Sequence, residues 1–242
     1  MENKMNIADR MAGLVVAAAL VVVGAGFIVL GVSFFPVVGI FVGLAMLGLA
    51  WHFMSSKTYA FERIAGFLVP DNVMFHPGHG WARMEKSDTF TIGIDDFAAK
   101  LLGSVDSISL PELGSHVKQG ALGWGFKADS RLIHMLSPVE GEVVAVNDAV
   151  ANHPGKIFED PYGKGWLFKV RSNNLVRDLK NMIPKGMVGE WLENVRQSLM
   201  HRGTAPAHAP LYADGGEPTR GFARVIDPEG WDNLARECFL TK

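Results

Sequence analysis

The side chains that could do chemistry gather at one polar turn. Lys127-Ala128-Asp129-Ser130-Arg131 lies between two alternating apolar runs, Leu122, Trp124, Phe126 before it and Leu132, His134, Leu136 after it. Period-two alternation on both sides of a polar segment predicts a β-hairpin with that segment as its tip. The segment's primary amine is that of Lys127. Ser130 offers a hydroxyl, which cannot make an amide. Three residues of extended chain separate them by about 10 Å, and an odd step reverses side-chain direction. Lys127 therefore reads as a solvated lysine beside a turn, with modification as its alternative role.

The other chemistry-bearing residues read more plainly. His76 and His79 could form half of a metal site, but no Cys or acidic ligand stands beside them, and a turn leading into a strand accounts for them. Asp95-Asp96 and Glu159-Asp160 are adjacent carboxylates at strand or corner ends, expected as solvated turns. Gly123-x-Gly125 lacks the following helix and third glycine of a dinucleotide site, and no P-loop, Cys-x-x-Cys or Gly-x-Ser-x-Gly occurs. With a formal net charge of -2 and no basic stripe, nucleic-acid binding is not expected. Neither a metal nor a catalytic residue is assigned, and no enzyme is expected.

These residues need a scaffold that is mainly β. Thr89–Asp95 reads as a strand, and Asp96–Gly103 as a short helix ended by glycine. Val105–Leu110 and Glu142–Val146 read as further strands, the latter β-branched. Gly120 opens the hairpin, and Ser137-Pro138-Val139-Glu140-Gly141 makes the corner after it.

Several strings resemble the lipoyl-bearing H-protein of the glycine cleavage system: His79-x-Trp81, the segments around Ile92–Ala98 and Leu110–Val117, Pro138 to Asn147, and Asp160-Pro161-Tyr162-Gly163-x-Gly165-Trp166-Leu167. The resemblance runs from Val69 to Arg171. It implies an H-protein-like β-sandwich or flattened barrel. It also implies a lipoyl lysine eight residues before the corner proline, with a glycine ten residues before that lysine. Counting from Pro138 and from Gly120 lands on Ser130, a degenerate lipoyl position, so lipoate is not expected and no other cofactor is implied.

Outside that span the chain is different in character. From Met11 to Met54 there is no Asp, Glu, Lys or Arg, which is long enough for two crossings of a bilayer. A transmembrane hairpin is expected, with helices from about Arg10 to Val32 and Pro36 to Met54 and a break at Ser33-Phe34-Phe35-Pro36. Lys4, Arg10, Lys57 and Arg63 then put both termini and the soluble domain in the cytoplasm, at the inner membrane. The expected divisions are 1–54 for the hairpin, 55–68 for a partly helical connector, and 69–171 for the β domain. Helices at Leu175–Met182 and Glu190–Met200 follow within 172–201, the second with a Trp191, Val195, Leu199 stripe. Residues 202–242 read as a linker and a docking tail, with a helix starting at Asp227 that offers Trp231, Leu234 and Phe239 to a partner.

The resulting expectation is a membrane-anchored, non-catalytic accessory subunit of a redox or energy-conserving complex. Its degenerate, non-lipoylated domain would bind other subunits, with the hairpin and tail as contacts to lipid bilayer and partners. The alternatives are a membrane-tethered lipoyl carrier using Lys127 and a tether that binds a small molecule.

Overall fold

The computed structural model describes residues 14–25, 36–55, 60–86, 88–200, 212–213 and 217–241. The chain divides into two units, 1–58 and 59–242. In the first, residues 14–25 are helical (α1) and Pro36–Ser55 forms a second helix (α2). The expected transmembrane pair is not upheld. Among the described residues no helix is long and apolar enough to cross a membrane. The multi-pass membrane placement and cytoplasmic orientation fall with it. Lys4, Arg10, Lys57 and the break at Ser33-Phe34-Phe35 lie outside the described residues, as do 202–211 of the expected linker.

The second unit opens with a hairpin where a partly helical connector was expected. Phe61–Ile64 (β1) pairs with Phe67–Pro70 (β2) across a turn at Ala65 and Gly66, whose φ values are 51° and 89°. Two successive positive φ values give the turn whose twist matches a hairpin. Phe67 is buried against Phe97 and Phe222, which fixes β2 to the body of the domain.

That body is two antiparallel sheets, the mainly β, H-protein-like architecture expected. The larger has the order β3-β4-β5-β11-β10-β7, formed by Met74–Phe75 (β3), Gly80–Met84 (β4), Thr89–Ile94 (β5), His116–Val117 (β7), Gly141–Val146 (β10) and Phe168–Ser172 (β11). The smaller joins Ser107–Ser109 (β6), Leu122–Ala128 (β8) and Arg131–Leu136 (β9) in the order β6-β8-β9. Phe90, Ile92 and Ile94 are fully buried along β5. On its other face Gly93 admits the Trp81 ring, which would stand 2.4 Å from a Cβ there. Trp124 on β8 meets Phe168 on β11 edge-on at 5.7 Å, joining the two sheets.

The returning strand of the hairpin has the opposite parity from the one expected. Ile133 and Met135 are fully buried, and Leu132 is 48 % exposed. The tip is two residues long, not five. Ala128 pairs with Arg131, so Phe126 faces Ile133 and Trp124 faces Met135. Shortening a loop by an odd number of residues turns a strand over.

Asp96–Leu102 (α3), Asp148–Asn152 (α4), Lys156–Glu159 (α5), Leu175–Lys180 (α6) and Val188–Met200 (α7) are the helices that connect and follow the strands. In α7 the fully packed positions are Val188, Leu192 and Leu199, with Trp191 and Val195 partly buried beside them. Phe222–Ile226 (α8) and Trp231–Cys238 (α9) end the chain. Asp227 does not begin a helix. Its carboxylate accepts from the Gly230 N–H at 2.8 Å and closes a turn between α8 and α9. Proline at 228 removes a backbone donor at that turn. The expected docking tail folds back instead: Trp231, Leu234 and Phe239 are 3 %, 6 % and 0 % exposed in the core of this unit.

Candidate functional site: the β8–β9 hairpin tip

Asp129 and Ser130 form the tip alone, with φ of 50° and 65°. Both are exposed. This left-handed pair is usually Asn-Gly; aspartate tolerates it and serine bears a steric cost. Ser130 projects from the apex, where the resemblance places the lipoyl lysine. Its hydroxyl does not fit that group. Lys127 has an amine, but it lies within β8, paired with Ser107 and Leu132. Its side chain is exposed.

The residues flanking Ser130 are tied down. Asp129 accepts from Arg224 Nε at 2.8 Å, and its N–H donates to Asp106 at 3.1 Å. Arg131 donates to the Asp232 carboxylate and to the Glu229 carbonyl, the latter at 2.7 Å. Burial alone would raise the Asp232 carboxyl, but the hydrogen bond from Arg131 and the charges of Arg236 and Arg131 outweigh it and hold its pKa below the ordinary value. These partners were missed in the sequence. Their one trace is complementary charge, acid then base around Ser130 and Arg224, Asp232, Arg236 in the tail, separated by about a hundred residues.

The remaining predicted residues are structural. Gly120 has φ 74° and donates to the Ser137 carbonyl at 2.9 Å. The Pro138 carbonyl accepts from Gln119 at 2.8 Å. Gly141 has φ 155°, and a Cβ there would stand 2.0 Å from the Arg171 carbonyl. Asp95 and Asp96 are not the solvated pair expected. Asp95 caps α3 through the Ala98 N–H and bonds His79 Nδ1, both at 2.8 Å. Asp96 holds Lys100 and the Leu68 N–H, also at 2.8 Å each. His79 is stacked between Phe97 at 4.0 Å and Trp191 at 4.8 Å. Asp160 accepts from the N–H groups of Gly163 and Lys164 at 2.9 and 2.8 Å. His76 accepts from the Gly78 N–H through Nδ1 at 3.1 Å. Among the described residues no group of three or more His, Cys, Asp or Glu is placed to hold a metal ion.

A family model described as glycine cleavage H-protein matches residues 73–194. This match takes in α6 and half of α7, beyond the Val69–Arg171 span of the resemblance. The probable glycine cleavage system H protein of Pyrococcus abyssi is 33 % identical over 132 residues, 54 % of this chain and 98 % of the relative. The glycine cleavage system H protein of Rubrobacter xylanophilus is 41 % identical over 103 residues, 43 % of this chain and 81 % of the relative. A crystal structure of a glycine cleavage system H protein from Mycobacterium marinum aligns with TM-score 0.46 and 23 % identity, covering 52 % of this chain and 98 % of that one. These relatives are named for glycine cleavage, and nothing in the comparisons supports the redox or energy-conserving membrane complex, with its electron transport, expected from the sequence.

Proposed function

The chain belongs to the glycine cleavage H-protein family, and from that membership and the serine at its hairpin tip we propose that it is a non-catalytic scaffold that uses the carrier's fold to bind other proteins without carrying lipoate. The single observation behind this reading is Ser130 at the apex of a two-residue turn. A swinging arm needs an amide-forming amine at that point, and the nearest lysine is held in the strand, three residues earlier. No side-chain cluster in the tip offers an acid, base or nucleophile matched to a reaction. What the tip does offer is an exposed turn on a rigid sheet, a form suited to recognition by another surface.

The test is purification of the chain from its own cells under mild conditions, with every stoichiometric band identified by mass. A protein partner at fixed stoichiometry is expected. Elution alone at the mass of one or two chains contradicts the scaffold reading. The carrier alternative rests on the exposed Lys127 amine, and a lipoyl group found there would favour it.

A further inference from the structure

The smaller sheet has the order β6-β8-β9, so β9 is an edge strand. An edge presents unpaired carbonyl and N–H groups to which another strand can add. Here two of those carbonyls are taken by the end of the same chain. Arg236 donates to the Leu132 carbonyl at 3.1 Å, and Thr241 Oγ1 donates to the His134 carbonyl at 3.1 Å. Together with Arg224 on Asp129, and Asp232 and the Glu229 carbonyl on Arg131, they tie the C-terminal segment to the tip and to the strand behind it.

The segment making these contacts is itself anchored elsewhere. Gly221 N–H donates to the Lys100 carbonyl at 2.7 Å, and Arg224 donates to the Leu102 carbonyl at 2.6 Å. A Cβ on Gly103 would stand 2.4 Å from Gly221 N, so the end of α3 and the start of α8 touch through backbone. Trp231, the first residue of α9, is buried, with the Arg224 guanidinium 3.9 Å and the Arg131 guanidinium 5.8 Å from its ring. Arg224 thus reaches α3, Asp129 and Trp231 at once.

We propose that residues 220–241 form a clasp that pins the exposed hairpin tip in one conformation and closes the open edge of β9 to strand addition. The clasp explains how a serine stays in a left-handed turn at an exposed apex: both neighbours are held by charge-assisted hydrogen bonds. It separates two properties that a mobile tip would lose together. The tip remains exposed for contact, while the edge beside it is withdrawn. The inference does not depend on whether Lys127 is modified.

Hydrogen exchange on the full chain tests it. Asp129→Asn removes the ion pair to Arg224 from the exposed side, and asparagine suits the left-handed conformation, so the turn keeps its geometry. Asp232→Asn removes the carboxylate charge that pairs with Arg131 and Arg236. Exchange of the backbone across 127–136 is expected to rise roughly tenfold in Asp232→Asn, the change that corresponds to one charge-assisted hydrogen bond, and severalfold in Asp129→Asn. Exchange in Phe90–Ile94 should stay at the parent rate in both. The clasp is overturned if 127–136 exchanges at the parent rate in both variants, or if any rise is shared equally by Phe90–Ile94. Modification of Lys127 is read separately by mass, so failure of the clasp and failure of the scaffold reading give different results.

Discussion

The corner Asp160–Leu167 and the hairpin tip Asp129–Ser130 are both sharp reversals, held in opposite ways. The corner is held from within. Tyr162 is 4 % exposed, and its hydroxyl accepts from the Asp96 N–H at 3.0 Å and donates to the Leu68 carbonyl at 2.8 Å. Trp81 Nε1 donates to the Pro161 carbonyl at 3.2 Å, and Asn147 binds the carbonyls of Lys164 and Trp166 at 3.0 and 2.6 Å. The tip is held from outside, by charged side chains of a distant segment. A buried reversal fixes its residue types through packing and backbone hydrogen bonds. An exposed one leaves its apical side chain replaceable without disturbing the fold. The corner's residue types are therefore set by packing, whereas the exposed apex is free to carry serine.

Gly141→Ala should have the largest effect. Its added carbon would meet the Arg171 carbonyl at 2.0 Å from a backbone with φ 155°, which forces β10 and β11 apart. A loss of more than about 3 kcal/mol is expected, read from denaturant midpoints. Tyr162→Phe comes next. It leaves the Asp96 N–H and the Leu68 carbonyl without their shared partner in a buried site, costing about 1–3 kcal/mol. A cost near zero would show that the corner is not held by this hydroxyl.

A smaller effect follows from pH. Burial, and then the nearby charge of His79, lower the His76 pKa from its ordinary value of 6.5. The folded state therefore takes up the proton less readily than the unfolded chain. The contribution is fully present above that value and is lost as pH falls below it. Melting temperatures should decline between pH 7 and 5, and the decline should flatten in His76→Gln.

The smallest effect belongs to the tip. Ser130→Gly relieves a left-handed serine and should raise stability by up to about 1 kcal/mol. Because the side chain is exposed, nothing else should change. A destabilised Ser130→Gly would mean that the hydroxyl itself supports the turn.

Much of this contrast was legible in the chain. Alternation in Phe90, Ile92 and Ile94 marked β5, and Gly103 marked the end of α3, because both follow from local geometry. The Asp160–Leu167 string marked its corner through the family resemblance alone. The parity of β9 was hidden, since Asp129-Ser130 lacks the Asn-Gly pair that announces a two-residue loop. Asp95 and Asp96 were misplaced because carboxylates at a strand end read as solvated until His79 and Lys100 are brought to them by the fold. The apolar run from Met11 to Met54 pointed to a transmembrane pair that the described helices do not supply. The clasp was out of reach, as complementary charges about a hundred residues apart give no periodic signal.

The central claim is that the tip carries no arm, and its most direct test is the mass of the peptide spanning residues 119–136. The chain should be produced in lipoate-replete cells in which an authentic H protein is lipoylated. The account predicts an unmodified peptide beside a fully modified control. A lipoyl amide on Lys127 would contradict it and return the chain to the carriers.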